Sequence, residues 1–205
     1  MQGFQTFRSG AVRQQGFSLM EVSIVTAIVL LIAIVGIPAI GGYVIENKVP
    51  KVGEELQRFI ASMKINAQGG GVMPYTGLDT GALANALRDS TVLAVQGSGA
   101  AASVAHGLGG SGTGGSGVVE VEAAAVDGAG MGSAFTLTLT SVSHAACPAL
   151  ASVLQRVSEI ISITGSSGAK VVKDTIARPG VPYRAAQAQA QCSQGDVNTF
   201  VFTAR

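Results

Sequence analysis

Few side chains in this chain of 205 residues are of the types that do chemistry, and they are scattered. His144 and Cys147 stand three residues apart, but a metal site needs three or four ligands and none cluster nearby. His106 lies alone in a glycine-rich stretch and is expected to be solvated. Glu120 and Glu122 alternate along an apolar segment, which favours a solvated strand face over an acid–base pair. These patterns predict no enzyme, no metal site and no cofactor.

The composition argues against a nucleic-acid partner and allows an oxidising compartment. The net charge is +1 and aromatic residues make up 5% without Trp, so both the basic surface and the stacking platforms of nucleic-acid binders are lacking. Hydrophobic residues make up 47%, and the mean hydropathy of +0.43 is high for a soluble domain. Two cysteines, Cys147 and Cys192, suffice for one disulfide if the domain reaches an oxidising compartment.

One long apolar run accounts for much of the hydropathy. From Val22 to Ile45 there are 24 residues without a charge. A helix of that length measures about 36 Å, enough for the ~30 Å hydrocarbon core of a bilayer. The preceding leader carries Arg8 and Arg13 and no acid. By the positive-inside rule the leader stays in the cytoplasm, and everything after Ile45 is exported.

An ordinary secretory signal fits this segment poorly. The run is too long for the apolar region of such a signal, and no small-x-small cleavage site follows it. The small residue, Gly16, lies before the run. Cleavage there would remove the basic leader and leave the apolar helix at the new N-terminus.

The stretch "GFSLME", from Gly16 to Glu21, followed at once by the apolar run, resembles the class III signal of type IV prepilins. In that family a dedicated inner-membrane peptidase cuts after the glycine and N-methylates the new first residue. The resemblance therefore assigns Gly16 and Phe17 to the cleavage junction, Phe17 to N-methylation and Glu21 to subunit assembly.

Glu21 has two compatible interpretations. Ser18-x-x-Glu21 is a capping box, and an acid in the first turn suits the helix dipole. The resemblance adds a second role in a filament of packed helices. There an unpaired carboxylate would cost several kcal/mol, and the cationic α-amine of a neighbouring Phe17 would neutralise it.

The same resemblance implies the overall architecture, an α+β type IV pilin-like fold. The helix is expected to run for about fifty residues, apolar all round in its first half and amphipathic in its second. The helically spaced apolar residues of the second half are Val49, Val52, Leu56, Phe59, Ile60 and Met63. This stripe should pack on an antiparallel sheet. Pro38, inside the apolar half, predicts either a simple bend or, as in the family, local unwinding during filament packing.

The remaining elements follow from periodicity. Asp79 or Thr80 caps a short helix, and residues 97–117 read as a long flexible loop of low complexity, not as a nucleotide-binding motif. Two strands follow, in "VVEVEAAAV" and "FTLTLTSVS". Next we expect a helix with an apolar face from Leu150 to Ile161, a looser region over residues 165–191, and a final strand in "DVNTFVFTAR".

The cysteines extend the resemblance to the larger type IVb pilins, which include those of conjugative thin pili. In that subgroup a disulfide staples the C-terminal region, which implies a bond between Cys147 and Cys192. Phe17 as the first mature residue is instead more typical of the type IVa subgroup. The implied organisation is a leader (residues 1–16), a transmembrane and polymerisation helix (17–45) and a periplasmic or extracellular head (46–205).

The resemblance implies a structural function. The expected protein is the major pilin of a type IV pilus, with possible roles in adhesion, aggregation or conjugation. Its partners are further copies of itself, the prepilin peptidase, the inner-membrane assembly machinery and, before assembly, the bilayer around residues 22–45. The expected location is first the inner membrane, with the head in the periplasm, and then the cell surface. The alternatives are a minor pilin or tip adhesin, a type II secretion pseudopilin, and a membrane-tethered periplasmic binding protein or enzyme.

Overall fold

The computed structural model describes residues 18–205, with only the backbone given for residues 37–39. The predicted cleavage junction, Gly16 and Phe17, lies outside the described residues. The chain divides into a unit that ends at Ile40 and a second unit, Gly41–Arg205. The two units are described in turn.

Within the described residues the chain forms four α-helices, one short 3-10 helix and seven strands. The α-helices are α1 (Leu19–Asn66), α2 (Thr80–Ala86), α3 (Cys147–Leu154) and α4 (Ala185–Gln191), and the 3-10 helix is Gly99–Ala101. The strands are β1 (Ala94–Gln96), β2 (Ser103–Ala105), β3 (Val118–Ala124), β4 (Ala134–Val142), β5 (Ile160–Gly165), β6 (Gly168–Asp174) and β7 (Asn198–Ala204).

The first unit is the start of α1, which Ser18 caps. The Ser18 hydroxyl accepts a hydrogen bond from the Met20 N–H at 3.3 Å, and its carbonyl accepts one from the Val22 N–H at 3.1 Å. The cap therefore uses the second helical N–H, whereas a capping box would use that of Glu21. Either way, the serine starts the helix where the sequence predicts it.

The second unit is built on one antiparallel sheet with strand order β1-β2-β3-β4-β7-β5-β6. In β4, Phe135, Leu137 and Leu139 are buried while the threonines between them are half-buried on the other face. This alternation is the one that the sequence predicts, and β3 pairs with β4 as expected.

The buried face of the sheet shares its core with the amphipathic part of α1. Val52, Leu56 and Ile60 are fully buried in this core, and the ring of Phe59 meets that of Phe135 edge-on at 6.5 Å. The sequence-based expectation of an α+β protein, with an antiparallel sheet packed on a long helix, is confirmed.

Three expectations about local structure are wrong. The helix predicted up to Ile161 ends at Leu154, because Ile160 and Ile161 belong to β5. A short apolar run fits both the helical and the strand period, and here the pairing with β7 makes these residues a strand. The looser region over residues 165–191 contains β6 and α4, and the loop over residues 97–117 contains β2.

Two lysine side chains donate hydrogen bonds to backbone carbonyl groups just after α3 ends. Lys173 Nζ donates to the Gln155 carbonyl at 2.5 Å and to that of Ser158, while Lys64 Nζ donates to the Val157 carbonyl and to Glu159. These bonds satisfy the carbonyl of the C-cap residue Gln155 and those of the segment that joins α3 to β5. Burial lowers the pKa of Lys173, an effect that the Glu159 carboxylate opposes.

Helix α3 packs against α1 at Gly53. A Cβ built on Gly53 would overlap Cγ1 of Val153, and the Gln57 side-chain amide donates to the Val153 carbonyl at 2.6 Å. The residue at position 53 must therefore have no side chain if α3 is to keep its place on α1.

Gly53→Ala is expected to lower the free energy of unfolding of the full chain in detergent. Overpacking costs about 1–3 kcal/mol, partly offset by the ~1 kcal/mol that Ala gains over Gly in a helix. In a Val153→Ala background the contact with Cγ1 is gone and only the Cβ of residue 153, at 3.3 Å, remains close, so the same change should cost less stability. Gly41→Ala, where a Cβ meets nothing within 4 Å, is the control and should not destabilise. Urea unfolding followed by circular dichroism measures all four variants, and equal effects of Gly53→Ala in both backgrounds would contradict the contact.

Candidate assembly helix and disulfide-bonded region

The first candidate site is the exposed start of α1, which contains Glu21. Glu21 lies in the first turn of the helix, and its side chain is exposed. Among residues 18–205, its carboxylate takes no side-chain hydrogen bond and no ion pair. An anion in the first turn is favoured by the helix dipole by about 0.3–1 kcal/mol. The carboxylate is thus positioned by its own helix and is accessible to a cation from outside the chain.

The residues that follow Glu21 give α1 an apolar surface that nothing in the described chain covers. An 18-residue window of this helix has a mean hydropathy of 2.8, and none of it is buried. By length and composition the helix can cross a membrane. The exposed apolar side chains here are Leu19, Met20, Val22, Ile24, Val25, Ile28, Val29, Leu30, Leu31, Ile32, Ile34 and Val35.

The polar side chains inside this apolar stretch are satisfied within the helix. The Ser23 hydroxyl donates to the Met20 carbonyl at 2.9 Å, and the Thr26 hydroxyl donates to the Val22 carbonyl at 2.7 Å. Hydroxyl groups bonded back to the preceding turn carry little cost in an apolar surrounding. Glu21 therefore stands out as the charged group of this stretch.

Pro38 lies within the bounds of α1, and the helix is continuous from Leu19 to Asn66. The side chains of residues 37–39 are not described, so the bend or unwinding at Pro38 stays a prediction.

The second candidate site is the region closed by the disulfide. Cys147 begins α3 and Cys192 directly follows α4, and their sulfur atoms are bonded, with Cα atoms 5.9 Å apart. The pairing is the one that the type IVb resemblance implies. The bond ties the segment between α4 and β7 to the helix that packs on α1.

Asn198 holds the same segment from inside the protein. This fully buried side chain donates to the carbonyls of Val142 (3.1 Å) and Ser193 (2.9 Å) and accepts from the Ser193 N–H at 2.7 Å. Sequence reasoning did not identify Asn198, because its partner on β4 is 56 residues away in the chain. A buried amide with all its groups paired fixes one arrangement of the neighbouring strands.

The acidic pair and the two histidines are the remaining side chains of the types that do chemistry. Glu120 and Glu122 lie exposed on β3, as predicted, at a shallow cavity of about 450 Å³. Among residues 18–205, no three His, Cys, Asp or Glu side chains are grouped so as to hold a metal ion. His106 contradicts its prediction. It is fully buried and not solvated, because its ring bonds to backbone groups on both sides.

Removing the disulfide is expected to destabilise the second unit strongly. In the chain-entropy model, a closed loop with a sequence separation of 45 contributes about 4 kcal/mol to stability. The doubly substituted Cys147→Ser/Cys192→Ser chain should unfold at lower urea than the oxidised wild type. Reductant should bring the wild type to the variant's midpoint and leave the variant unchanged. A wild-type midpoint that does not respond to reductant would contradict a stabilising bond.

Comparisons with known proteins agree with this architecture. Residues 113–205 match the family model described as PilS N terminal. One similar solved structure is TcpA, a type IV pilin from Vibrio cholerae El Tor biotype, with a TM-score of 0.51 and 14% identity over 78% of this chain and 99% of that one. Another is the type IVb pilin from Salmonella typhi, with a TM-score of 0.46 and 21% identity over 71% of this chain and 95% of that one. No curated protein matches.

The match of the C-terminal region rests on sequence, and the fold shared with TcpA rests on structure, so the two findings are of different kinds. Both are in line with the resemblance that the motif at Gly16–Glu21 suggests. They confirm that this chain resembles the type IV pilins and has their fold.

Proposed function

We propose that this chain is the major structural subunit of a type IV pilus, one that polymerises through the first part of α1 after cleavage between Gly16 and Phe17. The observation that carries the proposal is the apolar window of α1, none of which is buried, in a chain with the type IV pilin fold. The type IVb subgroup is the proposed assignment, supported by the disulfide and the C-terminal match.

The apolar surface of α1 requires two successive environments. Burying one large aliphatic side chain is worth about 1.5–3 kcal/mol, so a helix with a dozen exposed ones does not stay in water. Before assembly the bilayer would cover residues 22–45, with the leader's Arg8 and Arg13 keeping the N-terminus cytoplasmic and the head (residues 46–205) in the periplasm. In the filament, the same side chains would pack on the helices of neighbouring copies.

Glu21 would set the register between copies. Cleavage after Gly16 leaves a cationic amine on Phe17, four residues before Glu21. The amine of one copy and the carboxylate of the next would neutralise each other in the apolar filament interior, where either charge alone is costly. The prepilin peptidase and an ATP-driven inner-membrane assembly machine are the further partners that this route requires. Adhesion, aggregation and conjugation are the activities that such a filament would serve.

Glu21→Gln should lower the yield of sheared surface filaments more than about tenfold, because an unpaired amine buried in the filament costs several kcal/mol and ~1.4 kcal/mol is a factor of ten. Glu21→Asp keeps the charge and should retain part of the yield. Glu46→Gln, at an exposed acid further along α1, is the matched control and should leave the yield unchanged. The measurement is an immunoblot of filament and membrane fractions with electron microscopy.

Filaments at wild-type yield from the Glu21→Gln chain would contradict the assembly role of Glu21.

The share of this chain in the protein mass of purified filaments distinguishes a major pilin from a minor one. A major pilin accounts for nearly all the protein mass, whereas a minor pilin or tip adhesin is a trace component.

A further inference from the structure

His106 is a fully buried titratable side chain with both ring nitrogens occupied by backbone groups. Its Nε2 lies 2.9 Å from the Thr140 carbonyl oxygen on β4, and its Nδ1 accepts a hydrogen bond from the Leu108 N–H at 3.0 Å. A carbonyl oxygen can only accept, and the Leu108 N–H can only donate. The ring is therefore the neutral tautomer with its proton on Nε2.

Protonation of His106 is disfavoured in this arrangement. A proton on Nδ1 would point at the Leu108 N–H, so the hydrogen bond would be replaced by two opposed donors. The imidazolium would also be buried at a place built for a neutral ring, which is costly. Lowering the pH should therefore destabilise the contacts that hold the chain around His106 against the sheet.

The chain that His106 holds is the segment over residues 106–117, here called the glycine strap. Leu108 is fully buried, and its carbonyl accepts from the Ser143 N–H at 2.8 Å. Gly109, with φ of 139°, has no space for a Cβ because the Ser141 carbonyl would lie 2.5 Å from it. The Ser116 hydroxyl donates to that of Ser141 at 3.0 Å. The strap lies between β2 and β3 in the chain, so it can detach without breaking a named strand.

Two charged groups lie near the strap and modulate this effect. The Asp196 carboxylate accepts from the Gly110 N–H at 3.1 Å, and its charge favours the imidazolium. The Lys48 ammonium on α1 lies next to Gly107 in the strap. Burial of the ring is the largest influence and lowers the pKa of His106 from its ordinary value, against the opposing effects of the Thr140 hydrogen bond and of Asp196.

We propose that the glycine strap is an acid-released element of the head surface, held on the end of the sheet by neutral His106 and freed when that imidazole is protonated. Release exposes Leu108 and the core beneath it while the disulfide and the β3–β4 pairing stay intact. The inference rests on the described contacts of the second unit and is independent of the proposed filament.

The pH window follows from the direction of the shift. The released strap binds a proton at the ordinary histidine pKa of about 6.5, whereas the docked strap binds it only at lower pH. Docking is therefore at full strength above about pH 6.5 and weakens as the pH falls towards the lowered value. Within that window the opening equilibrium should rise as the pH falls, by at most about tenfold per pH unit because one proton is bound.

Hydrogen exchange on the full chain in detergent tests the proposal. Protection of the Leu108 and Gly110 amides, corrected for the intrinsic pH dependence of exchange, is measured from about pH 7.5 to about pH 5. It should fall with pH in the wild type below pH ~6.5, by at most about tenfold per pH unit, while the β3 and β4 amides stay protected. His106→Asn keeps an acceptor near the Nδ1 position but cannot be protonated, so its strap protection should not depend on pH. His144→Asn, which removes the other imidazole, should keep the acid step.

Constant protection of Leu108 in the wild type, or the same acid step in His106→Asn, would overturn the proposal. Ring-nitrogen NMR of the wild type gives a reading that does not depend on the variants. The proposal requires the neutral tautomer protonated on Nε2 and a midpoint below about 6.5. A neutral ring protonated on Nδ1, or a midpoint at or above about 6.5, would also overturn it.

Discussion

The apolar surface of the first part of α1 is the constraint on which the rest of this protein depends. Its window of mean hydropathy 2.8 has no burial partner within the described chain, so the hydrophobic effect requires that something outside the chain cover it. A bilayer and a bundle of identical helices both meet that requirement. In the proposed function, membrane anchoring and polymerisation would be two uses of one surface, and Glu21 would be the charged group that makes the second use specific.

The second unit solves a different problem, which is to hold a stable sheet on the amphipathic part of α1. Val52, Leu56 and Ile60 supply the apolar stripe, and Gly53 allows α3 to approach. The segment between α4 and β7, where helix and sheet give few contacts, is held by covalent and polar links. The Cys147–Cys192 bond and the three hydrogen bonds of Asn198 are those links.

What the sequence predicted correctly was encoded locally. The length of α1, the alternation in β4 and the Asp79 cap of α2 each depend on residues close together in the chain. The errors fall where distant partners decide. Ile160 and Ile161 join β5 because β7 pairs with them. His106 is buried because Thr140, 34 residues later, accepts its hydrogen bond. In the candidate sites, the motif around Glu21 could be predicted because its residues are adjacent in the chain. Asn198 could not be predicted, because its partner Val142 is 56 residues away.

The central claim is that the apolar helix becomes the N-terminus of the mature subunit. Intact mass and N-terminal sequencing test it on protein purified from a host with prepilin peptidase, with and without reductant. The account predicts a chain that begins at N-methylated Phe17 and gains the mass of two hydrogens on reduction of the Cys147–Cys192 bond. A chain that still begins at Met1, in a host shown to process other prepilins, would contradict it.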